Sequence, residues 1–261
     1  MPTFPRITSR QHETVGRFRQ AARRSDGDVV LDGGHLLIEA LDARIPVDTV
    51  LSTDVDAAVV RRARASGAAV YEVTAPVLDA ASPVRTPSGI VALAHWRPTT
   101  VDAALAGKAP LVIGLCSVQD PGNVGSAIRA ADALGATGVL AIDHTAHPGA
   151  WKVLRGGMGS TFRVPIARTS LDDALPAART HGLSIIATVA AGGRPVSDID
   201  WRAPTLVLLG SEGMGLPSTA IEAADRLCTI PMRSGAESLN VAVAAALMLY
   251  EARRQRERAG R

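Results

Sequence analysis

Four stretches in the C-terminal part of the chain are apolar at consecutive positions: LVIGLCSV (111–118), ATGVLAID (136–143), LSIIATVA (183–190) and TLVLLG (205–210). A strand with one face in water alternates apolar and polar residues, whereas one that is apolar throughout is covered on both faces. Helical patterns separate these stretches. GNVGSAIRAADALG carries Val124, Ile128, Ala131 and Leu134 on one stripe and ends at Gly135, and LDDALPAARTHG is a second helix. A further strand, LCTIPM, precedes SLNVAVAAALMLYEARRQRER. This last segment reads as one long helix opening at Ser238, buried in its apolar first half and exposed in its Arg-rich last turns. The order predicts an α/β fold whose parallel sheet is covered by helices on both faces.

The N-terminal part alternates more softly. HETVGRFRQAARR places Val15, Phe18 and Ala22 on one face and arginines on the other, and HLLIEALDAR turns Leu36, Leu37, Ala40 and Leu41 inward. DVVLDG, TVLST, AAVYEV and GIVALAHW read as strands, with a Pro- and Gly-marked turn at VRTPSG. A smaller α/β domain over residues 1–97 is expected. The stretch HWRPTTVDAALAGKAP, with two prolines and a glycine, holds a linker or short helix placed at residues 98–109, and residues 110–261 form the second domain.

The apolar fraction of 47% is ample for a core, while 3% aromatics disfavour a base-stacking platform for single-stranded nucleic acid. A net charge of +3 excludes a basic blanket but leaves room for local patches. The first twenty-five residues hold six arginines (Arg6, Arg10, Arg17, Arg19, Arg23, Arg24) against one acid, Glu13. Cys116 and Cys228 lie far apart with no metal-ligand spacing, which suits a reducing compartment. No stretch has the apolar length of a signal peptide or a membrane span, so a cytoplasmic protein with no membrane partner is expected.

The common chemistries are missing from the sequence. There is no G-x-G-x-x-G, no G-x-x-x-x-G-K-[ST] and no G-x-S-x-G. His144 and His147 stand close together in HTAHPG but lack a local third ligand, so no metal site is expected. What stands out is LVLLGSEGMGLP, a buried strand that breaks into Gly210, Gly213 and Gly215 around Glu212. Glycines let backbone approach a ligand closely, but a phosphate loop would carry a lysine where this one carries an acid. DPGNVGSAIRAADALG and IPMRSGAESLNVAVAAALMLYEARR likewise place polar residues where strands end and helices begin, the edge at which open α/β sheets bind ligands.

NVGSAIRAA, LGSEGMGL and IPMRSGAESLNVAVA, in that order, resemble the three motifs of the SpoU/TrmH family of RNA ribose 2′-O-methyltransferases, part of the trefoil-knotted SPOUT superfamily. The third departs by one residue: Arg233 and Ser234 precede Gly235 where the family has a single residue, and the interval to Ser238 is correspondingly shorter. The likeness extends over nearly the whole chain. It implies a trefoil-knotted parallel-sheet methyltransferase domain preceded by a smaller α/β substrate-binding domain, a homodimer packed through the final helix, and S-adenosyl-L-methionine as cofactor.

The resemblance also implies roles. Gly210, Ile230 and Leu239, with Leu209, Gly213 and Met232 beside them, would contact the cofactor. Arg129 is the family's catalytic arginine. Gly125 lies one turn before it on the same helix face, leaving room for a nucleotide over the side chain. A guanidinium resists deprotonation, so positioning of phosphate and hydroxyl is preferred here to the proton acceptance proposed for the family. The bland alternative is a surface ion pair with Asp132. Asn123, Glu212, Ser238 and Asn240 complete the implied catalytic set. Asn123 has a structural reading as a helix N-cap, Glu212 as a turn cap or as an orienter of Arg129 or Asn123, and Ser238 as the cap of the long helix, with Asn240 then at a third helical position. RNA contacts are expected from Arg6, Arg10, Arg17 and Arg155. The last belongs to RGGMG, where the family often has R-x-S-x-G. The implied activity is ribose methylation of RNA, with 23S rRNA the first choice. A tRNA enzyme, a resistance-conferring rRNA enzyme and a silent RNA-binding assembly factor are the alternatives.

Overall fold

The computed structural model describes residues 4–24 and 27–259, so the extreme ends of the two expected domains lie outside the described residues. The chain divides into two compact units. One comprises the residues up to Arg97 together with Gly149–Phe162; the other comprises Pro98–Pro148 and the residues from Arg163 onward.

The first unit contains β1 (Arg6–Ile7), α1 (Glu13–Arg24), β2 (Gly27–Asp32), α2 (Gly34–Asp42), β3 (Val47–Ser52), α3 (Ala58–Ala65), β4 (Ala69–Val73), α4 (Ala75–Ala81) and β5 (Ile90–Trp96). Its five-stranded sheet has the order β1-β4-β3-β5-β2, with β5 antiparallel to both neighbours and β2 at an edge. Helix α1 has Glu13 in its first turn and Arg23 and Arg24 in its last, charges that suit its dipole. Val15, Phe18 and Ala21 are buried; Ala21 takes the inward place expected of Ala22, which is partly buried. Phe18 joins Leu51, Val77, Leu78 and Leu93 in the core.

The second unit begins with α5 (Val101–Leu105), followed by β6 (Leu111–Cys116), α6 (Pro121–Leu134) and β7 (Gly138–Ile142). After α7 (Trp151–Gly157), which packs on β2 in the first unit, come β8 (Ile166–Thr169), α8 (Leu171–Thr180), β9 (Ser184–Thr188), β10 (Arg194–Pro195), β11 (Thr205–Leu209), α9 (Ser218–Glu222), β12 (Arg226–Thr229) and α10 (Val241–Ala259). Its seven strands are all parallel, in the order β10-β12-β9-β11-β6-β7-β8. Every residue of β6, β7 and β11 is buried, as their unbroken apolar runs require. The segment between the expected domains is ordered on this unit: α5 packs on β8, β7 and α8, and Thr99 bridges to Ala167.

Strand order fixes where a ligand can sit. From β6 the chain proceeds outward to β7 and β8, then returns through β9, β11 and β12 on the other side. The order reverses between β6 and β11, and in open α/β sheets the crevice beyond the carboxyl ends of such strands is the binding edge.

Candidate active site

Three loops meet at that edge. The first leads into α6. Asp120 caps the helix, its Oδ1 accepting from the Asn123 backbone N–H at 2.9 Å, with Pro121 in the first turn. Asn123 is therefore not the cap, as one reading of the sequence had it; it sits one turn inside with its side chain available. The second loop follows β11 and folds back on itself, Ser211 bridging Gly215, whose N–H donates to the Ser211 carbonyl at 2.9 Å. A Cβ on Gly210 would collide with the backbone of Gly215 and Leu216. The bare backbone there serves closure of the loop as well as access to a ligand. Gly215 has φ +67°, which favours glycine, while Gly213 meets neither demand.

The third loop runs from Ile230 into α10, which begins at Val241, three residues later than the sequence suggested. Asn240 is its cap: Oδ1 accepts from the N–H groups of Ala242 at 3.0 Å and Val243 at 3.3 Å. Ser238 is a loop residue, neither the cap nor helical. The start shifts because an asparagine two residues after a serine is an equally good cap and sits directly before the buried Val241.

Capping dictates chemistry here. A backbone N–H can only donate, so the Asn240 Oδ1 must face the helix and its Nδ2 must point away. That Nδ2 donates to Glu212 Oε1 at 2.7 Å and to Asn123 Oδ1 at 2.9 Å. Asn123 Nδ2 donates in turn to the same Glu212 oxygen at 2.6 Å. A carboxylate with two amide donors thus ties together one residue from each of the three loops, and every amide orientation follows from the cap. Hydrogen bonds to an ionised acceptor are stronger than neutral ones.

Beside this cluster lies a cavity of about 260 Å³. Leu209, Gly210, Ile230, Met232 and Leu239 line it, as does Ser238; Gly213 does not. The sequence reading missed the Thr188–Ala190 wall after β9 and the floor from Ala244 and Met248 of α10. Their apolar character marked them only as core. It also missed Asp120, for which the Asp-Pro pair ahead of a helix was the available signal.

Arg129 lies on α6, exposed, and makes no ion pair or hydrogen bond among the described residues. The bland pairing with Asp132 is not formed: that carboxylate is held by Arg163 at 2.8 Å. Gly125 is buried, on a helix that packs along α10.

The arginines expected to meet RNA are all in the first unit. Arg6 lies 3.8 Å from Glu72 and Arg17 lies 2.9 Å from Asp48, while Arg10 is exposed. Arg155 is exposed on α7. Burial pushes the nearby Asp32 carboxyl above its usual range, against the pull of the Ser82 hydroxyl and the Arg155 charge.

Fold and site together define a two-unit α/β protein with a ligand cavity at the carboxyl edge of a parallel sheet and a carboxylate–amide cluster at its rim. The chain matches the SpoU rRNA Methylase family over residues 110–250 and the MRM3-like substrate binding domain over residues 18–92. It belongs to the SpoU rRNA methylase family. It is 32% identical over 231 residues to the 23S rRNA (guanosine(2553)-2′-O)-methyltransferase RlmP of Bacillus subtilis, spanning 88% of this chain and 90% of that protein. Among solved structures it resembles the AdoMet-bound rRNA methyltransferase of Sinorhizobium meliloti with TM-score 0.88 and 32% identity, over 96% and 98% of the two chains. It also resembles the SpoU methyltransferase AviRb of Streptomyces viridochromogenes, in complex with AdoMet, with TM-score 0.83 and 29% identity, over 95% and 99%.

Proposed function

We propose that the chain transfers a methyl group from S-adenosyl-L-methionine to a ribose 2′-hydroxyl of RNA, with 23S rRNA as the substrate class. The observation that carries this reading is the Asn123–Glu212–Asn240 cluster beside a cavity whose lining fits that cofactor. The walls are apolar side chains and loop backbone, with Glu212 the one charged residue and no lysine or arginine. Such a lining suits a neutral adenine and a cationic sulfur and gives a phosphate-bearing cofactor no cationic side chain to pair with. RlmP and the Sinorhizobium meliloti rRNA methyltransferase match over 88% and 96% of this chain, the first unit included, whereas the match to the A. aeolicus tRNA modifying enzyme covers 61% of it, which favours rRNA over the tRNA alternative.

Leu209, Gly210, Ile230, Met232 and Leu239 would hold the adenosyl group, with Gly213 at the loop tip. The cofactor, when bound, supplies a methyl group already activated on sulfur. The remaining task is to hold a weakly acidic hydroxyl in line and to stabilise the charge that grows on its oxygen. Arg129, free of protein partners among the described residues, donates to a phosphate beside the target ribose and to that oxygen, remaining protonated throughout, and the hydroxyl proton passes to solvent water as the oxygen takes the methyl group. The cluster of Asn123, Glu212 and Asn240 fixes the three loops relative to one another, and Ser238 adds a hydroxyl at the cavity wall.

Residues 1–97 dock RNA, 98–109 connect, and 110–261 carry the chemistry. The exposed stripe of Val243 (47%), Leu247 (43%) and Tyr250 (59%) on α10 supports a homodimer packed through that helix. No helix among the described residues is long and apolar enough to cross a membrane, in keeping with an enzyme acting in the cytoplasm. The test is transfer of labelled methyl from S-adenosyl-L-methionine to 23S rRNA, followed by nuclease digestion. Label retained on a ribose supports the reading, and label on a base or none at all overturns it.

A further inference from the structure

The first unit carries a polar groove, about 520 Å³ in volume, between α1 and the corner where β2 meets β5. Arg17, Gln20 and Arg24 line it from one face of α1, and His95 and Arg97 line it from the end of β5. The pairing of Asp28 with His95 across the two strands sets its floor, with the side chains 2.6 Å apart. Arg17 is partly neutralised by Asp48. Arg24 and Arg97 are exposed and have no ion pair among the described residues. The Arg97 guanidinium lies over bare backbone, 3.3 Å from where a Cβ of Gly27 would stand. The groove is thus cationic, with two of its three guanidinium groups free of an acidic partner among the described residues.

Spacing selects the ligand. Arg17 and Arg24 are seven residues apart on one helix, so their stems stand about 10 Å apart along its axis. One phosphate could engage both only if the two side chains bent toward each other along the helix, away from the Arg97 wall. A chain of phosphates satisfies both, and Arg97 adds a third contact from the opposite wall. We infer that this groove is a phosphodiester-backbone site that tracks several consecutive phosphates of the RNA substrate. The inference rests on the RNA reading above and adds the place where the strand is held. Contacts of this kind position a nucleic acid without reading its sequence.

The experiment measures binding of an in-vitro 23S rRNA transcript to the full-length protein as a function of salt, with inorganic tripolyphosphate as a second ligand. Each lost phosphate contact lowers the log–log salt slope by ~0.7 for a single strand and ~0.9 for a duplex. The Arg24→Ala/Arg97→Ala double variant should therefore lose about 1.4 to 1.8 from the slope, with cofactor affinity unchanged. Arg24→Lys/Arg97→Lys should restore most of it, because it returns the charge. Gln20→Glu tests the groove without disturbing Arg97: it should weaken RNA binding and leave thermal stability alone. An unchanged slope in the double variant, or an unchanged affinity in Gln20→Glu, overturns the site. Tripolyphosphate binding lost in the double variant while RNA binding persists would make it a small-polyphosphate site and also overturn the proposal. These readouts do not depend on turnover. A wild type that binds RNA through the groove but transfers no methyl would fail the proposed function alone.

Discussion

Asn240 does two jobs with opposite ends of one amide, and substitution can separate them. Its Oδ1 caps α10, and its Nδ2 supplies two hydrogen bonds to the cluster. Asn240→Ala removes both and should cost about 1 kcal/mol of stability through the cap alone. Asn240→Ser keeps a capping oxygen and loses only the donors, so it should spare the cap's share and unfold less readily than Asn240→Ala. A hydrogen bond to a charged group is worth ~1.5–3 kcal/mol when shielded. Asn240 and Glu212 are exposed, so about half of that is expected here, and turnover should fall roughly tenfold. Asn240→Asp keeps the cap but sets a second carboxylate against Glu212 at the present 2.7 Å separation. Even with water's full dielectric the repulsion is about 1.5 kcal/mol. That variant should retain the helix and lose more turnover than Asn240→Ser. The assays are urea unfolding followed by circular dichroism and single-turnover methyl transfer. Should Asn240→Ser unfold as readily as Asn240→Ala, or Asn240→Asp turn over normally, the division of the amide between cap and cluster is wrong.

Three further outcomes are expected. Gly210→Ala should distort the loop after β11 and abolish cofactor binding in calorimetry, because its Cβ meets the Gly215 backbone; Gly213→Ala, whose Cβ meets nothing within 4 Å, should bind as wild type does. Arg256 donates to the carbonyls of Trp201 (2.8 Å), Ala109 (2.6 Å) and Ala203 (3.0 Å) and has no ion pair among the described residues, so Arg256→Ala should cost roughly 2–4 kcal/mol in denaturant unfolding. Asp32 is raised in the native state mainly by burial, so its ionisation opposes folding. Asp32→Asn should stabilise the protein at neutral pH, and the gain should shrink as pH falls through the raised native value and vanish below the unfolded carboxylate value. A pH-independent gain in thermal unfolding would contradict that cause.

The sheet of the second unit was legible because its strands are buried on both faces, and that burial writes itself as unbroken apolar runs such as TLVLL in β11. The site was legible as three polar loops at strand ends. What did not show were the facts that depend on three-dimensional closure. Ser and Asn are equally good caps, so local propensity could not place the start of α10 at Asn240 rather than Ser238. Glycine looks the same in sequence whether a ligand or the chain itself fills the space, so Gly210 could be read as part of a ligand loop or of a tight turn, and only the folded loop shows its bare backbone serving closure. Arg155 lies in the middle of the second domain by sequence order, yet α7 packs with the first unit, a long-range choice that no local pattern encodes. The groove between α1 and the β2–β5 corner joins residues some seventy positions apart and was invisible for the same reason.

The central claim is that Arg129, exposed on α6 and without an ion pair or hydrogen bond among the described residues, positions a ribose for methyl transfer. Its most direct test is the single-turnover rate of labelled methyl transfer to 23S rRNA by wild type and Arg129→Ala, with cofactor affinity measured by calorimetry on both. A positioned catalytic group is worth ~10²–10⁴ in rate. The rate should fall by that factor while cofactor affinity holds, because the cavity lining does not include Arg129. Equal rates in the two proteins would contradict the account.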